Sequence, residues 1–286
     1  MAKGQAVHVY DKFMDLFPFE VKLWIGRNWY ELISKLDGGF QMPFMNLGYA
    51  FLNPHDGRID LSSEDEEHRY CIQLYHHVAS AISWIGVDAL ELGSGRGGGA
   101  AYIAKQFKPK SYIGIDITAS SVNFSNQRHS IEGLSFRQCD ADNLPFENAS
   151  FDVVISVEAS GLWRNKERTF RDIAHVLKPN GYFLYTDMHR YGQIHIWRSQ
   201  LVASGLRLVG EEDITPNVVR ALTLDYERKC KLINQYIPRW FRRIFCEFAG
   251  MNGAGLATGT PRFGDRVYYS FVLRKDDVSK PAVLHE

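Results

Sequence analysis

The chain has no surplus of either charge: 33 Lys and Arg balance 33 Asp and Glu over 286 residues. A general nucleic-acid binder rests on a basic field, so that class is disfavoured and no nucleic-acid partner is expected. No window approaches the ~18 uncharged apolar residues that a spanning helix needs. The start, "MAKGQAVHVYDKFMDLF", lacks a basic stretch followed by an apolar run, so no secretory signal is read and a cytoplasmic location is expected. Cysteine is scarce. Cys71, Cys139, Cys230 and Cys246 form no C-x-x-C pair, which points to free thiols in a reducing compartment. Internal repeats, low-complexity tracts and a three-ligand metal spacing are absent too, and no metal is expected.

What is there is aromatic and alternating. Eleven of the first 51 residues are Phe, Trp or Tyr, against 13% of the whole chain. The middle alternates apolar strand-like runs with helix-period segments, the pattern of a mostly parallel sheet with helices on both faces. Seven strands are predicted: 87–92, 111–117, 134–140, 151–159, 181–188, 206–214 and 266–274. Helices are predicted over 118–130 and 165–181, the second ending at Pro179 and Gly181. A long helical stretch over 217–250 is broken near Pro238.

The fold class is therefore α/β: a Rossmann-like, seven-stranded, mostly parallel sheet with a helical cap, in one domain. Its parts are an N-terminal cap segment (1–63), a cofactor-binding core (64–214), a helical cap insertion (215–262) and the last strand (263–276).

The segment "DALELGSGRGGGAAYIAKQ" (88–106) carries a glycine turn after the first strand. Gly93, Gly95 and Gly97 suit a sharp bend close to a ligand, with Ser94 between them. Gly93-x-Gly95-x-x-Gly98 also fits the dinucleotide pattern, which by itself is weak evidence for NAD. Three acids decide between cofactors. Glu91 lies two residues before the first glycine, where a pyrophosphate gains nothing from a carboxylate. S-adenosylmethionine instead presents an ammonium and a sulfonium, which Glu91 favours directly or through the loop's amides. Asp116 closes the second strand, where an acid accepts from ribose hydroxyls, and Ile117 follows it. Asp140 closes the third, placed to accept from an adenine amine beside the Ala141 amide. Three acids at consecutive strand ends point to S-adenosylmethionine.

A neutral hydroxyl acceptor needs its proton removed during methyl transfer, and the loops after the fourth and fifth strands suit a general base. His189 is the first choice, since imidazole titrates near neutrality. Glu158 is a second candidate, in orienting the acceptor or completing the cofactor pocket, and His76 a third. Asp187 could hold His189.

"LELGSGRGGG", "GIDIT", "CDADNLPF", "FDVVISVEAS" and "VLKPNGYF" together resemble class I S-adenosylmethionine-dependent methyltransferases over about residues 66–210. Within them the chain looks most like the O-methyltransferases of phthiotriol and phenolphthiotriol dimycocerosates, through "LYHH" (74–77), "GGGAAYI" (97–103), "VEAS" (157–160) and "EFAG" (247–250). That family carries a histidine soon after its "EAS", where this chain has Gly161, so the acceptor is not carried over. The resemblance also extends to a "GY" segment before the core, in which Tyr49 covers the cofactor's methionine end. It implies O-methylation of a hydroxyl on a lipophilic small molecule, with C-methylation of a terpenoid or sterol as the alternative. The aromatic N-terminus and "YIPRWFRRIFCEF" (236–248) are expected to wall the acceptor chamber. The mixed basic and apolar run "PRWFRRIF" leaves two further uses open, resting on a membrane surface and pairing with a second copy.

Overall fold

The computed structural model describes residues 42–53, 59–240 and 266–277, with scattered positions between 17 and 31 and at 242 and 246. Most of the aromatic N-terminal segment, "EFAG" and much of "PRWFRRIF" lie outside the described residues.

Seven strands form one sheet: β1 (Asp88–Leu92), β2 (Ser111–Asp116), β3 (Leu134–Gln138), β4 (Phe151–Val157), β5 (Leu177–Arg190), β6 (Arg207–Asp213) and β7 (Arg266–Arg274). Their order is β3-β2-β1-β4-β5-β7-β6. The first five are parallel, and β7 runs antiparallel between β5 and β6. Strand order reverses between β1 and β4. In open α/β sheets that reversal opens the crevice at the carboxyl ends where ligands sit.

Seven helices among the described residues matter here: α1 (Arg69–Ala79), α2 (Gly98–Phe107), α3 (Ala119–Arg128), α4 (Lys166–Val176), α5 (Ile194–Val202), α6 (Thr215–Leu224) and α7 (Tyr226–Tyr236). Strand residues alternate between the two faces, so each strand feeds two cores. One core joins Leu74, Tyr75 and Val78 of α1 to Ala89, Tyr112, Ile155, Leu184 and Tyr268. The other joins Phe170 and Ile173 of α4 and Trp197 of α5 to Leu90, Ile115, Val154, Tyr185 and Phe271. No helix among the described residues is long and apolar enough to cross a membrane.

The predicted strands are all present, with β7 matching its predicted bounds. The helix predicted over 165–181 stops at Val176, and β5 starts four residues before Gly181. Lysine and strand pairing explain this. The Lys275 ammonium takes the Ala174 and Leu177 carbonyls at 2.7 and 2.6 Å, capping the helix end. Residues 178–181 then bulge, since Phe151 pairs with Leu177 but Val153 with Tyr182. The 217–250 stretch is interrupted earlier than Pro238, at Asp225, whose carboxylate binds the Arg228 guanidinium through two 2.6 Å bonds.

Candidate active site

The glycine turn leaves β1 with Gly93, Gly95 and Gly97 at φ 73°, 53° and 76°, values that other residues adopt only under strain. Gly93 and Ser94 amides both donate to the Ile115 carbonyl, at 2.8 and 2.9 Å. The turn is therefore tied to β2. A Cβ on Gly97 would stand 2.7 Å from the Phe136 ring. The Ser94 hydroxyl is buried in this turn with no hydrogen-bond partner among the described residues. Leaving such a group unpaired is costly, and a bound ligand would relieve it.

The carboxyl edge gathers the acids. Glu91 is fully buried on the α1 face, accepting from Tyr75 Oη at 2.8 Å and Tyr112 Oη at 3.0 Å. Burial pushes its carboxyl up to about 7, against the pull of the two phenols. The loop amide does not go to Glu91. Gly95 N donates to Asp116 Oδ2 at 2.9 Å, while Asp116 Oδ1 takes Thr118 N and Oγ1 at 2.9 and 2.6 Å. Burial raises Asp116 as well. The Ile117 amide also lies within reach of this carboxylate, which is therefore held mainly by backbone donors of its own loop and of the glycine turn. Asp140 lies two residues past β3, accepting from Asp142 N at 3.0 Å and Arg164 Nη1 at 3.2 Å. Ala141 is buried beside it and Ile117 half-buried.

A strap, residues 42–51, crosses this edge. Pro43 O accepts from Gly98 N at 3.2 Å, and a Cβ on Gly95 would stand 3.0 Å from Met45 Cε. Met45, rather than Tyr49, is what meets the glycine turn. Further along, Asn46 Nδ2 donates to Cys71 O at 3.3 Å. Tyr49 N bonds the Tyr70 carbonyl, and its ring stacks on His77 at 4.4 Å, away from the turn.

Glu158, one residue past β4, holds the middle of the strap. Its Oε1 accepts from Leu47 N at 2.7 Å and from Tyr268 Oη at 2.6 Å. No donor reaches its Oε2 among the described residues. Lys229 of α7 takes the other side of the same peptide, its Nζ donating to Leu47 O at 3.2 Å. Burial, aided by Asp187, pushes Glu158 up to about 7. Its φ is +56°, a left-handed conformation that costs a non-glycine residue roughly 1–2 kcal/mol. Strain of that kind is concentrated at functional sites.

The two histidines of the sequence reading are placed elsewhere. Along β5, Tyr185, Asp187 and His189 face the α4–α5 side, while Thr186 and Met188 face Tyr268. His189 packs edge-on to Trp197 and lies 3.5 Å from Tyr185 Oη, across the sheet from Leu47 and Tyr268. Burial, with Lys166 and Arg266 nearby, drives its basicity far below that of free imidazole. His76 bonds Tyr102 Oη at 2.8 Å and packs on Phe107 at the far end of α2, so it is not brought to the edge. Asp187 does not hold His189. It accepts from Ser160 N and Oγ instead. Among the described residues no cluster of His, Cys, Asp and Glu could hold a metal ion.

Sequence reasoning missed Leu47, Tyr75, Tyr112, Lys229 and Tyr268. A backbone amide carries no sequence signal, and the tyrosines read as ordinary core in "LYHH", "SYIGIDI" and "RVYYSFVLR".

Residues 90–185 match the model of a methyltransferase domain. The chain is 34% identical over 252 residues, 88% of it and 92% of its relative, to a phthiotriol/phenolphthiotriol dimycocerosates methyltransferase of Mycobacterium tuberculosis. It is 39% identical over 199 residues, 70% of it and 72% of its relative, to a fatty-acid O-methyltransferase of Mycolicibacterium smegmatis. A geranyl diphosphate C-methyltransferase from Streptomyces coelicolor shares the fold, with a TM-score of 0.61 and 14% identity over 91% of this chain and 98% of that one.

Proposed function

Because the chain belongs to the S-adenosylmethionine-dependent methyltransferases, we propose that it methylates a hydroxyl of a lipophilic small molecule and that Glu158 takes the proton. Bound S-adenosylmethionine supplies a methyl group on a positively charged sulfur, already activated for displacement. The chain's residues fit that group. The bent turn gives a ligand close approach to backbone, the buried Ser94 hydroxyl lacks a partner among the described residues, and two carboxyl groups held near 7 by burial are matched by a cationic ligand.

Gly93, Ser94, Gly95 and Gly97 form the cradle in this reading, with Glu91 setting the field beneath it through its tyrosine pair. Asp116 binds ribose hydroxyls and also fixes the turn. Asp140, Ile117 and Ala141 hold the base. The strap excludes water from above, and Tyr49 braces it rather than touching the cofactor. The described parts of the cap segments, the strap and helices α6 and α7, cover the edge.

The observation that carries the acceptor chemistry is the asymmetry of Glu158. One oxygen is pinned by two donors, and the other is left for a proton. A group titrating near 7 is well matched to accept one from a hydroxyl as the new C–O bond forms. Buried Glu158 and Asp187 oppose a carboxylate acceptor, which would bring a third negative charge and needs no base. Lipophilicity is supported by Met45 and Leu47 at this edge and by the lipid names of the relatives.

Methyl-labelled S-adenosylmethionine, offered with a long-chain alcohol, a long-chain fatty acid and a terpenoid alkene, tests the reading by mass spectrometry. Label should enter the alcohol as an ether, and Glu158→Gln should cut that turnover about 10²-fold or more. Preferred labelling of the fatty acid, or of alkene carbon, would overturn it.

A further inference from the structure

The left-handed turn at Glu158 needs something to hold it, and the holder is on the other face of the sheet. Glu158 N still pairs with Thr186 O at 2.9 Å, but the next residues wrap over the strand end into a short 3-10 turn, Ser160–Leu162. There Ser160 is fully buried. Its amide and hydroxyl both donate to Asp187 Oδ2, at 3.0 and 2.6 Å. The other Asp187 oxygen accepts from Met188 N at 2.7 Å, so the carboxylate cannot swing away without abandoning a third donor. Tyr185 Oη donates to Ser160 Oγ at 2.7 Å, which aligns the serine hydroxyl toward Asp187.

We propose that Asp187 is a positioning residue. By clamping Ser160 from the α4–α5 face, it keeps the turn wound so that Glu158 projects onto the opposite face, beneath the strap and against Tyr268. The inference rests on the reading of Glu158 as the proton acceptor, which it deepens. Ser160 and Asp187 make no hydrogen bond to strap or cradle, and their hold on the turn reaches the site through the backbone of 158–160.

The clamp also acts through charge. Glu158 is faced by Tyr268 from β7, Asp187 from β5, Lys229 from α7, and Tyr75 and Cys71 from α1. Of these, Asp187 adds negative charge and favours the protonated carboxyl, while Lys229 does the reverse.

The test needs no acceptor. Protein labelled with 13C at glutamate carboxyls gives a Glu158 resonance, identified by its loss in Glu158→Gln, that titrates near 7 in the native chain. Hydrogen exchange of the Leu47 amide reports whether Glu158 still sits beneath the strap. Asp187→Ala should speed Leu47 exchange at least tenfold while global melting still shows a folded chain. Asp187→Asn keeps an acceptor for Ser160, so it should restore most of that protection yet move the Glu158 titration to lower pH. Should Asp187→Ala not fold, Ser160→Ala, which deletes one clamp bond, must show the same loss in part. Unchanged Leu47 exchange and an unchanged Glu158 titration in the folded variants would overturn the clamp. Full turnover by Glu158→Gln would instead remove the proton-acceptor reading and leave these measurements standing.

Discussion

Tyr268 on β7 donates its hydroxyl to Glu158 Oε1 at 2.6 Å, joining residues 110 positions apart in sequence. The antiparallel strand thus supplies a donor that lowers the proton affinity of the acid otherwise raised by burial.

Removing that donor should move Glu158 upward. A hydrogen bond to a charged group is worth about 1.5–3 kcal/mol, equivalent to one to two pH units. Tyr268→Phe should therefore shift the acidic limb of the kcat/KM profile above pH 7 and cut kcat/KM at neutral pH about tenfold. An unmoved limb would separate Tyr268 from proton transfer.

Glu91 makes the cofactor-free protein sensitive to pH in a direction opposite to ordinary acid denaturation. Its carboxyl titrates near 7 when folded and near 4.5 otherwise, so the folded state binds the extra proton between those values. Its contribution is complete below pH 4.5 and lost as pH rises toward 7, by up to ~3 kcal/mol. Melting of the cofactor-free chain should show this fall, and Glu91→Gln should reduce it, leaving the matching contribution of Glu158. S-adenosylmethionine should stabilise the native chain more at pH 7.5 than at pH 5.5.

Gly97→Ala tests the cradle. The left-handed φ and the Phe136 ring 2.7 Å from the added carbon both oppose it. A strain of roughly 1–2 kcal/mol in the turn should appear as at least a tenfold loss of S-adenosylmethionine affinity by calorimetry. Unaltered affinity would place the ligand elsewhere.

His189→Ala distinguishes the two base candidates. With His189 packed on Trp197 across the sheet from Glu158, the variant should melt at lower temperature yet keep its acidic limb near pH 7. Disappearance of that limb would return the base to His189.

The legible parts of the sequence were those governed by short-range rules. Continuous apolar runs gave the strands, and glycine spacing gave the turn whose positive φ values the structure displays at Gly93, Gly95 and Gly97. The acids at strand ends were found because a parallel sheet puts all carboxyl ends on one edge. What was hidden depends on facing and on long separations. His189 attracts notice by its chemistry, but strand alternation from Tyr185 sends it to the face of the sheet opposite Tyr268. Leu47 serves through a peptide amide, which every residue but proline possesses. Tyr268 becomes relevant only once β7 is known to insert between β5 and β6.

That insertion gives the molecule an order of assembly. Strand β7 leaves the ribosome after the six others, so the Gly93–Gly97 turn is synthesised well before Tyr268 arrives to hold Glu158. On the proposed reading, a nascent chain lacking β7 has the parts to grip its methyl donor and not those to spend it.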